Sequence, residues 1–308
     1  MKPATILLRI GTALLVVTLC VQRPALSVKA ATDVQVKHVY LVVLENHSYS
    51  SIIGNKSMPW LNGLASRYAY ATAYYANTHP SIGNYFELTT GKIINNNDGY
   101  SNTVNGDNIV RHLLSAGKTW KEYTEGLPRS GYTGGDTGEY TEHHNPLSYF
   151  SDVRKSSNEI INLVPFSQFA TDLRNGSLPN YSFIVPDNDN NGHDCPDTIP
   201  ICTDSQRLAQ VDTWLKTNVG PLVGSSGFNA PHGGLLVIVF DESAGDSTHG
   251  GGRVAWVVAG PDVKKAYVST MLYQHQSTLR FLSEAVGLTS FPGAAAAAPD
   301  MEEFIIGD

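Results

Sequence analysis

Three acidic stretches in this 308-residue chain each stand directly behind an apolar run. Glu45-Asn46 follows VYLVVL (Val39–Leu44), Asp187 follows YSFIVP (Tyr181–Pro186), and Asp241-Glu242 follows LLVIVF (Leu235–Phe240). Unbroken runs of this kind, rich in Val, Leu and Ile, read as strands buried on both faces, as in a parallel sheet. Parallel strands share one carboxyl edge, which is where open α/β sheets place their ligands. Neighbouring strands lie about 4.8 Å apart, so carboxylates gathered there repel one another unless a cation sits between them. Hard divalent cations take carboxylate and amide oxygens. Glu45, Asn46, Asp187, Asp241 and Glu242 are therefore candidate metal ligands. His193 and His249, in loops close behind two of the strands, would add imidazole, which suits zinc or another transition metal.

A metal at that edge becomes catalytic when a nucleophile reaches it. Ser81, between Pro80 and Gly83 in NTHPSIGNY (Asn77–Tyr85), is the candidate. A serine hydroxyl is a weak nucleophile near its free pKa, and a metal supplies the activation. Asn84, three residues on, could hold a developing oxyanion. A Ser-His-Asp hydrolase competes, but its G-x-S-x-G elbow lacks the first glycine in His79–Gly83. No glycine-rich phosphate loop follows a strand, which argues against nucleotide binding of the P-loop or dinucleotide type.

The elements that must position these residues alternate along the chain. Helical candidates cover Met58–Tyr70, Ile109–Ala116, Phe166–Asn175, Ser205–Asn218 and Leu272–Val286. A short strand is expected at Thr119–Tyr123 and a fourth buried strand at Val254–Ala259, closed by Gly260-Pro261. Strands separated by helices predict an α/β fold: a three-layer sandwich with a mostly parallel central sheet and helices on both faces. The irregular region from Gly126 to Val153 carries His143-His144-Asn145-Pro146, and loops this long in compact domains are usually functional. Ala294–Pro299 reads as a flexible stretch. His275, Trp120, Tyr123 and Trp214 read as structural residues, the histidine with a satisfied hydrogen bond.

Composition sets the compartment and excludes one partner class. With 42% hydrophobic and 16% charged residues the chain is globular, and its formal net charge is −7. Residues 1–31 read as a signal peptide: Lys2 and Arg9 precede the apolar run Ile10–Val21, and small residues follow. The run is short for a transmembrane helix, although an uncleaved anchor remains an alternative. Without the first thirty residues, 17 basic residues face 28 acidic ones, which argues against a nucleic-acid partner. Residues 32–308 then form a single catalytic domain with no visible linker. In an exported chain, Cys195 and Cys202, bracketing PDTIPI, read as one disulfide closing a small loop behind His193.

Taken together, ENHSY at Glu45–Tyr49, THPSIGNY at Thr78–Tyr85, HNP at His144–Pro146 and PD…GHD at Pro186–Asp194 form an ordered series. VFDES at Val239–Ser243 and GPDV at Gly260–Val263 complete it. The series resembles the phosphoesterase family of bacterial acid phosphatases and phospholipases C, within the alkaline phosphatase superfamily, over nearly all of residues 36–304. The resemblance implies that Ser81 forms a phosphoseryl intermediate, with Glu45, Asn46, Asp241, Glu242 and the Ser81 hydroxyl holding a divalent ion (Zn, Ca, Mg or Mn). His144, Asp187, His193 and His249 match as further ligands or phosphate contacts. A histidine would protonate the leaving alcohol. The chain departs from the family pattern at Glu242, commonly Asp, and at Asn191, where relatives carry an Asp; the second departure weakens the case for a second metal.

The expectation is a secreted, metal-dependent phosphomonoesterase acting on a small phosphate ester. Two alternatives stand beside it. One is a phospholipase C or phosphodiesterase of the same family, which would touch a membrane only through a phospholipid substrate. The other is a non-catalytic exported protein whose acids hold a structural cation.

Overall fold

The computed structural model describes Met1 and residues 34–307, so the expected signal peptide lies outside the described residues. Eight strands form one sheet: β1 (His38–Leu44), β2 (Ala69–Tyr75), β3 (Trp120–Thr124), β4 (Leu163–Pro165), β5 (Tyr181–Val185), β6 (Gly234–Phe240), β7 (Trp256–Ala259) and β8 (Tyr267–Gln274). Their order across the sheet is β4-β3-β5-β1-β6-β7-β2-β8. Only β7 runs against its neighbours, pairing antiparallel with β6 and β2; every other pairing is parallel. The helices are α1 (Tyr49–Ile52), α2 (Pro59–Arg67), α3 (Ser81–Thr90), α4 (Ile109–Ser115), α5 (Ser151–Arg154), α6 (Ser167–Asn175), α7 (Asp204–Trp214), α8 (Gly220–Gly224) and α9 (His275–Ala285).

The alternation of side chains along a strand places helices on both faces. Leu41 and Phe183 sit side by side in register, and Phe183 meets Tyr85 of α3. Tyr40 and Tyr123 point the other way and meet Phe169 of α6. The result is the expected three-layer α/β/α sandwich. The central strands β1, β5 and β6 are buried throughout apart from half-buried His38, which is why they read as continuous apolar runs.

Three expectations about local structure change. The helix expected from Leu272 starts only at His275, because Tyr267–Gln274 is strand β8. That strand lies at the sheet edge with Val268, Met271 and Leu272 exposed, so it lacks the apolar run that marks a buried strand. Residues 69–75, the first two of which were expected to end a helix, form β2 instead, and α2 stops at Arg67. The Ala294–Pro299 stretch is docked: Ala294 N–H donates to the Gly91 carbonyl at 2.9 Å and Ala295 is buried. Of the expected structural residues, Trp120 and Tyr123 are buried in the core, and His275 is fully buried with both ring nitrogens engaged.

Candidate active site

Sheet register alone brings the first two acids together. Leu44 pairs with Phe240, so Glu45 and Asp241 leave the sheet side by side, and Asp241 N–H donates to the Leu44 carbonyl at 2.9 Å. Both side chains are buried, as is that of Glu242. Asn46 turns the chain away from the sheet with φ +47°, and its backbone N–H donates to Asp241 Oδ1 at 3.0 Å. The inner end of its carboxamide lies 3.1 Å from both Asp241 Oδ1 and Glu242 Oε1. Turned with nitrogen inward, Asn46 donates to the two acids; turned with oxygen inward, it joins them as a neutral ligand.

Ser81 comes from the other side of β7. Strand β2 ends at Tyr75, the chain loops through residues 76–80, and α3 begins at Ser81. The loop rests on a glycine bed. Ala76 exchanges backbone hydrogen bonds with Gly251 and Gly252, at 3.0 and 2.9 Å. A Cβ on Gly250, which has φ +110°, would stand 1.9 Å from the Asn77 carbonyl oxygen, so only glycine permits this approach. Asn84 ties the loop from below: its Oδ1 accepts from the N–H groups of Asn77 and Thr78 at 3.0 and 3.2 Å, and its Nδ2 donates to the Thr78 carbonyl at 2.9 Å. The Asn84 carboxamide, expected to face an oxyanion, is thus largely engaged in holding the loop that carries Ser81.

Ser81 Oγ donates to Glu45 Oε2 at 3.1 Å. One helical turn later Tyr85 donates a short hydrogen bond to the other oxygen, Glu45 Oε1. Residues four apart share one helix face, and here that face clasps both oxygens of one carboxylate. His144 adds its Nε2 at 3.4 Å from Glu45 Oε2 and stacks on the Tyr85 ring. On the far side, His79 Nδ1 lies 2.9 Å from Glu242 Oε2 and its Nε2 2.9 Å from the Asp246 carbonyl oxygen. His275 fixes the Asp241 backbone, donating from Nε2 to its carbonyl at 2.6 Å.

The electrostatics follow from this crowding. Burial together with the Glu45 and Glu242 charges holds the Asp241 carboxyl well above its ordinary range. Glu242 is pushed up to about 7 by burial and by Glu45, against the pull of His79. Burial also works against ionised Glu45, but His144 and the Tyr85 hydrogen bond outweigh it and hold the group at about 2. The three acids do not all ionise comfortably in the protein alone. Asp241 Oδ2, moreover, is buried without any hydrogen-bond partner. Three carboxylates, a carboxamide and a hydroxyl, with one acceptor left unpaired, are of the donor chemistry that a hard divalent cation takes.

The remaining sequence candidates fall elsewhere. His193 is half exposed at the rim, with Nδ1 3.4 Å from Asn46 Nδ2. Asp187 is joined to Glu125 and Asn190: its N–H donates to Glu125 Oε2 at 3.2 Å, and Asn190 Nδ2 donates to both carboxylates, at 3.0 and 3.1 Å. Burial and Glu125 raise Asp187 to about 7. His249 is exposed and packs its ring on Tyr75, 4.4 Å between centroids. Beyond Asp187 lies a second acidic group, Glu139, Asp189 and Asp197, with ligand atoms within 4.8 Å of one another and only partial burial. The Cys195–Cys202 disulfide closes the loop that carries Asp197. Sequence reading missed Tyr85 and His79. Both lie inside THPSIGNY, and the spacing of four between Ser81 and Tyr85 was the available signal.

Residues 54–289 match the Phosphoesterase family. A phosphatidylinositol-3-phosphatase from Mycobacterium tuberculosis is 34% identical, over 85% of this chain and 81% of its own length. A probable acid phosphatase from Kluyveromyces lactis is 31% identical over 79% of this chain, and an acid phosphatase from Aspergillus fumigatus 29% over 87%. This chain spans only 56% and 59% of those two fungal relatives. Among solved structures, a protein in the alkaline phosphatase superfamily from Vibrio parahaemolyticus covers 82% of this chain, and the match covers 67% of that one, at TM-score 0.55 and 14% identity. The lipoteichoic acid synthase LtaP from Listeria monocytogenes covers 86%, with 75% of its own chain matched, at TM-score 0.59 and 12% identity. Those two likenesses establish the fold, and the family match together with the mycobacterial relative establishes the lineage: this chain belongs to the Phosphoesterase family.

Proposed function

We propose that this phosphoric ester hydrolase is a metal-dependent phosphomonoesterase that works through a phosphoserine at Ser81. The observation that carries the reading is the hydrogen bond from Ser81 Oγ to Glu45 beside Asp241, whose Oδ2 is buried and unpartnered. A divalent ion held by Glu45, Asn46, Asp241 and Glu242 would lower the charge of the cluster and favour the Ser81 alkoxide. Ser81 Oγ loses its proton to solvent and attacks phosphorus in line; an Oγ–P bond forms as the bond to the leaving oxygen breaks. His193, at the open rim, protonates the departing alcohol. His144, buried against Glu45 and Tyr85, keeps the first acid in place. Water then hydrolyses the phosphoserine, and positioning and electrostatics supply most of the rate enhancement.

The relatives named acid phosphatase favour a monoester, and the mycobacterial relative's name extends the range to a phosphorylated lipid headgroup. Export is supported by the N-terminal sequence and by the Cys195–Cys202 disulfide, a bond of oxidising compartments. Among the described residues no helix is long and apolar enough to cross a membrane.

The test is hydrolysis of a chromogenic phosphomonoester beside a bis-ester and phosphatidylcholine, with and without chelator. Wild type should turn over the monoester fastest and stop in chelator. Ser81→Ala should lose at least about a thousandfold in rate with its circular dichroism unchanged. Equal activity in Ser81→Ala and wild type refutes the serine mechanism, and faster turnover of the diesters replaces the monoester reading with a phosphodiesterase.

A further inference from the structure

The loop that carries His193 is pinned along its main chain while the histidine side chain stays open to water. Glu45 N–H donates to the Asn191 carbonyl at 3.0 Å, and His193 N–H donates to Asn191 Oδ1 at 2.8 Å. Arg207 Nη1 donates to the His193 carbonyl at 2.6 Å. The carbonyl between these points, that of Gly192, lies 2.7 Å from His47 Nε2. A carbonyl oxygen only accepts, so His47 carries its proton on that nitrogen. The His193 side chain, by contrast, is 48% exposed, and its Nδ1 lies 3.4 Å from the outer end of the Asn46 carboxamide.

His47 touches three parts of the site at once. In the chain it follows Glu45 and Asn46 directly. Its ring meets Phe240, the last residue of β6 before Asp241, edge to face with centroids 6.0 Å apart. Its Nε2 reaches the loop of His193. His47 and Gly192 are both buried, so a Gly192 carbonyl that lost the imidazole N–H would have to stay unsatisfied or shift towards water. A shift of the main chain there carries His193 with it. Displacements of about 1 Å at a reacting group cost about a hundredfold in rate.

We infer that His47 is the positioning residue of the leaving-group acid: through the Gly192 carbonyl it fixes the main chain from which His193 reaches the departing oxygen. This rests on the reading of His193 as that acid. As the bond between phosphorus and the leaving oxygen breaks, its electron pair stays on the oxygen, which takes the proton of the His193 imidazolium and departs as the alcohol. His47 touches neither substrate nor ion in this scheme. It ties the proton donor to the same strand end that supplies Glu45 and Asn46, so the acid and the nucleophile keep one frame of reference.

The experiment compares kcat/KM on nitrophenyl, phenyl and propyl phosphate, with Mn2+ added, in full-length wild type, His193→Ala, His47→Phe and His47→Gln. This ratio reports the steps up to the phosphoserine, in which the alcohol departs. Nitrophenolate leaves without a proton, whereas an alkoxide needs one. His193→Ala should lower kcat/KM by about a hundredfold on propyl phosphate and by no more than about threefold on nitrophenyl phosphate. His47→Phe keeps a ring against Phe240 but has no donor, and should lose about tenfold on propyl phosphate and no more than about threefold on nitrophenyl phosphate. His47→Gln, whose amide can reach the Gly192 carbonyl, should recover most of the loss on propyl phosphate. A merely structural role would lower all three substrates by one factor. That result in folded His47→Phe, beside a selective loss in His193→Ala, overturns the positioning role while sparing the acid. A uniform loss or none in His193→Ala overturns both, as does a wild type that turns over none of the three esters. If His47→Phe does not fold, His47→Asn, whose amide ends at the place of Nδ1 and falls short of the carbonyl, carries the same comparison.

Discussion

The sheet carries two groups of carboxylates behind its strands, and they differ in nearly everything except charge. Glu45, Asp241 and Glu242 are buried, each is held by a donor from another element, and one oxygen among them has no partner. Glu139, Asp189 and Asp197 are close together but partly or fully open to water, and Asp197 rides on a disulfide-closed surface loop. Water screens like charges at the outer group, so their proximity costs little and implies little. In the inner group, burial makes neighbouring charges expensive, and a bound cation or a retained proton relieves them. Burial and the surrounding donors, more than the number of acids, set the inner group apart as the candidate site.

The comparison breaks first at Glu45. Glu45→Gln should lower phosphomonoester turnover by at least about a hundredfold and weaken Mn2+ binding by a similar factor, since it removes a ligand charge. If turnover and binding in Glu45→Gln match wild type, the inner group has no privileged chemistry. A second difference should appear in thermal melts of chelator-stripped protein. A carboxylate whose folded pKa is raised stabilises the fold below its unfolded value and loses that contribution as pH rises through the folded one. Glu242, moved from 4.5 to about 7, sets the window. Tm should fall between those values, less steeply in Glu242→Gln, and saturating metal should remove the Glu242 share of the slope, leaving that of Asp187 and Glu87. A Tm that rises across the window in stripped protein contradicts the crowding described here.

Asp187 lies between the two groups and sharpens the comparison. Its partners are Glu125 and Asn190, so Asp187→Asn should change kcat by no more than about threefold at moderate salt. A loss as deep as that of Glu45→Gln would return Asp187 to the ligand set. The smallest effect belongs to the outer group: Asp197→Asn should leave activity at the wild-type level and shift unfolding by about 0.5 kcal/mol or less, read by urea titration.

Much of this geometry was legible in the sequence because buried parallel strands advertise themselves. The runs before Glu45, Asp187 and Asp241 located three strands, and the shared carboxyl edge followed from their parallel sense. Strand order was invisible. Acids on β1 and β6 meet because those strands are neighbours, whereas Asp187, on the other side of β1, turns towards Glu125 at the end of β3. Tyr85 escaped notice because a buried aromatic is more often core than chemistry, and its hydroxyl matters only once α3 is seen against Glu45. His79 was read only as a neighbour of the serine. Edge strand β8 escaped for the opposite reason, since its mixed surface gives no continuous apolar run.

The glycine bed beneath residues 76–80 has a consequence in time as well as in space. The loop that aims Ser81 is seated on Gly250–Gly252, some 170 residues further along the chain. Until that late segment has been synthesised and folded, the early loop has nothing to lie on, and Asp241 and Glu242 have only just emerged. Ser81, in the early part of the chain, thus meets its seat and the Asp241 and Glu242 acids only through the late part.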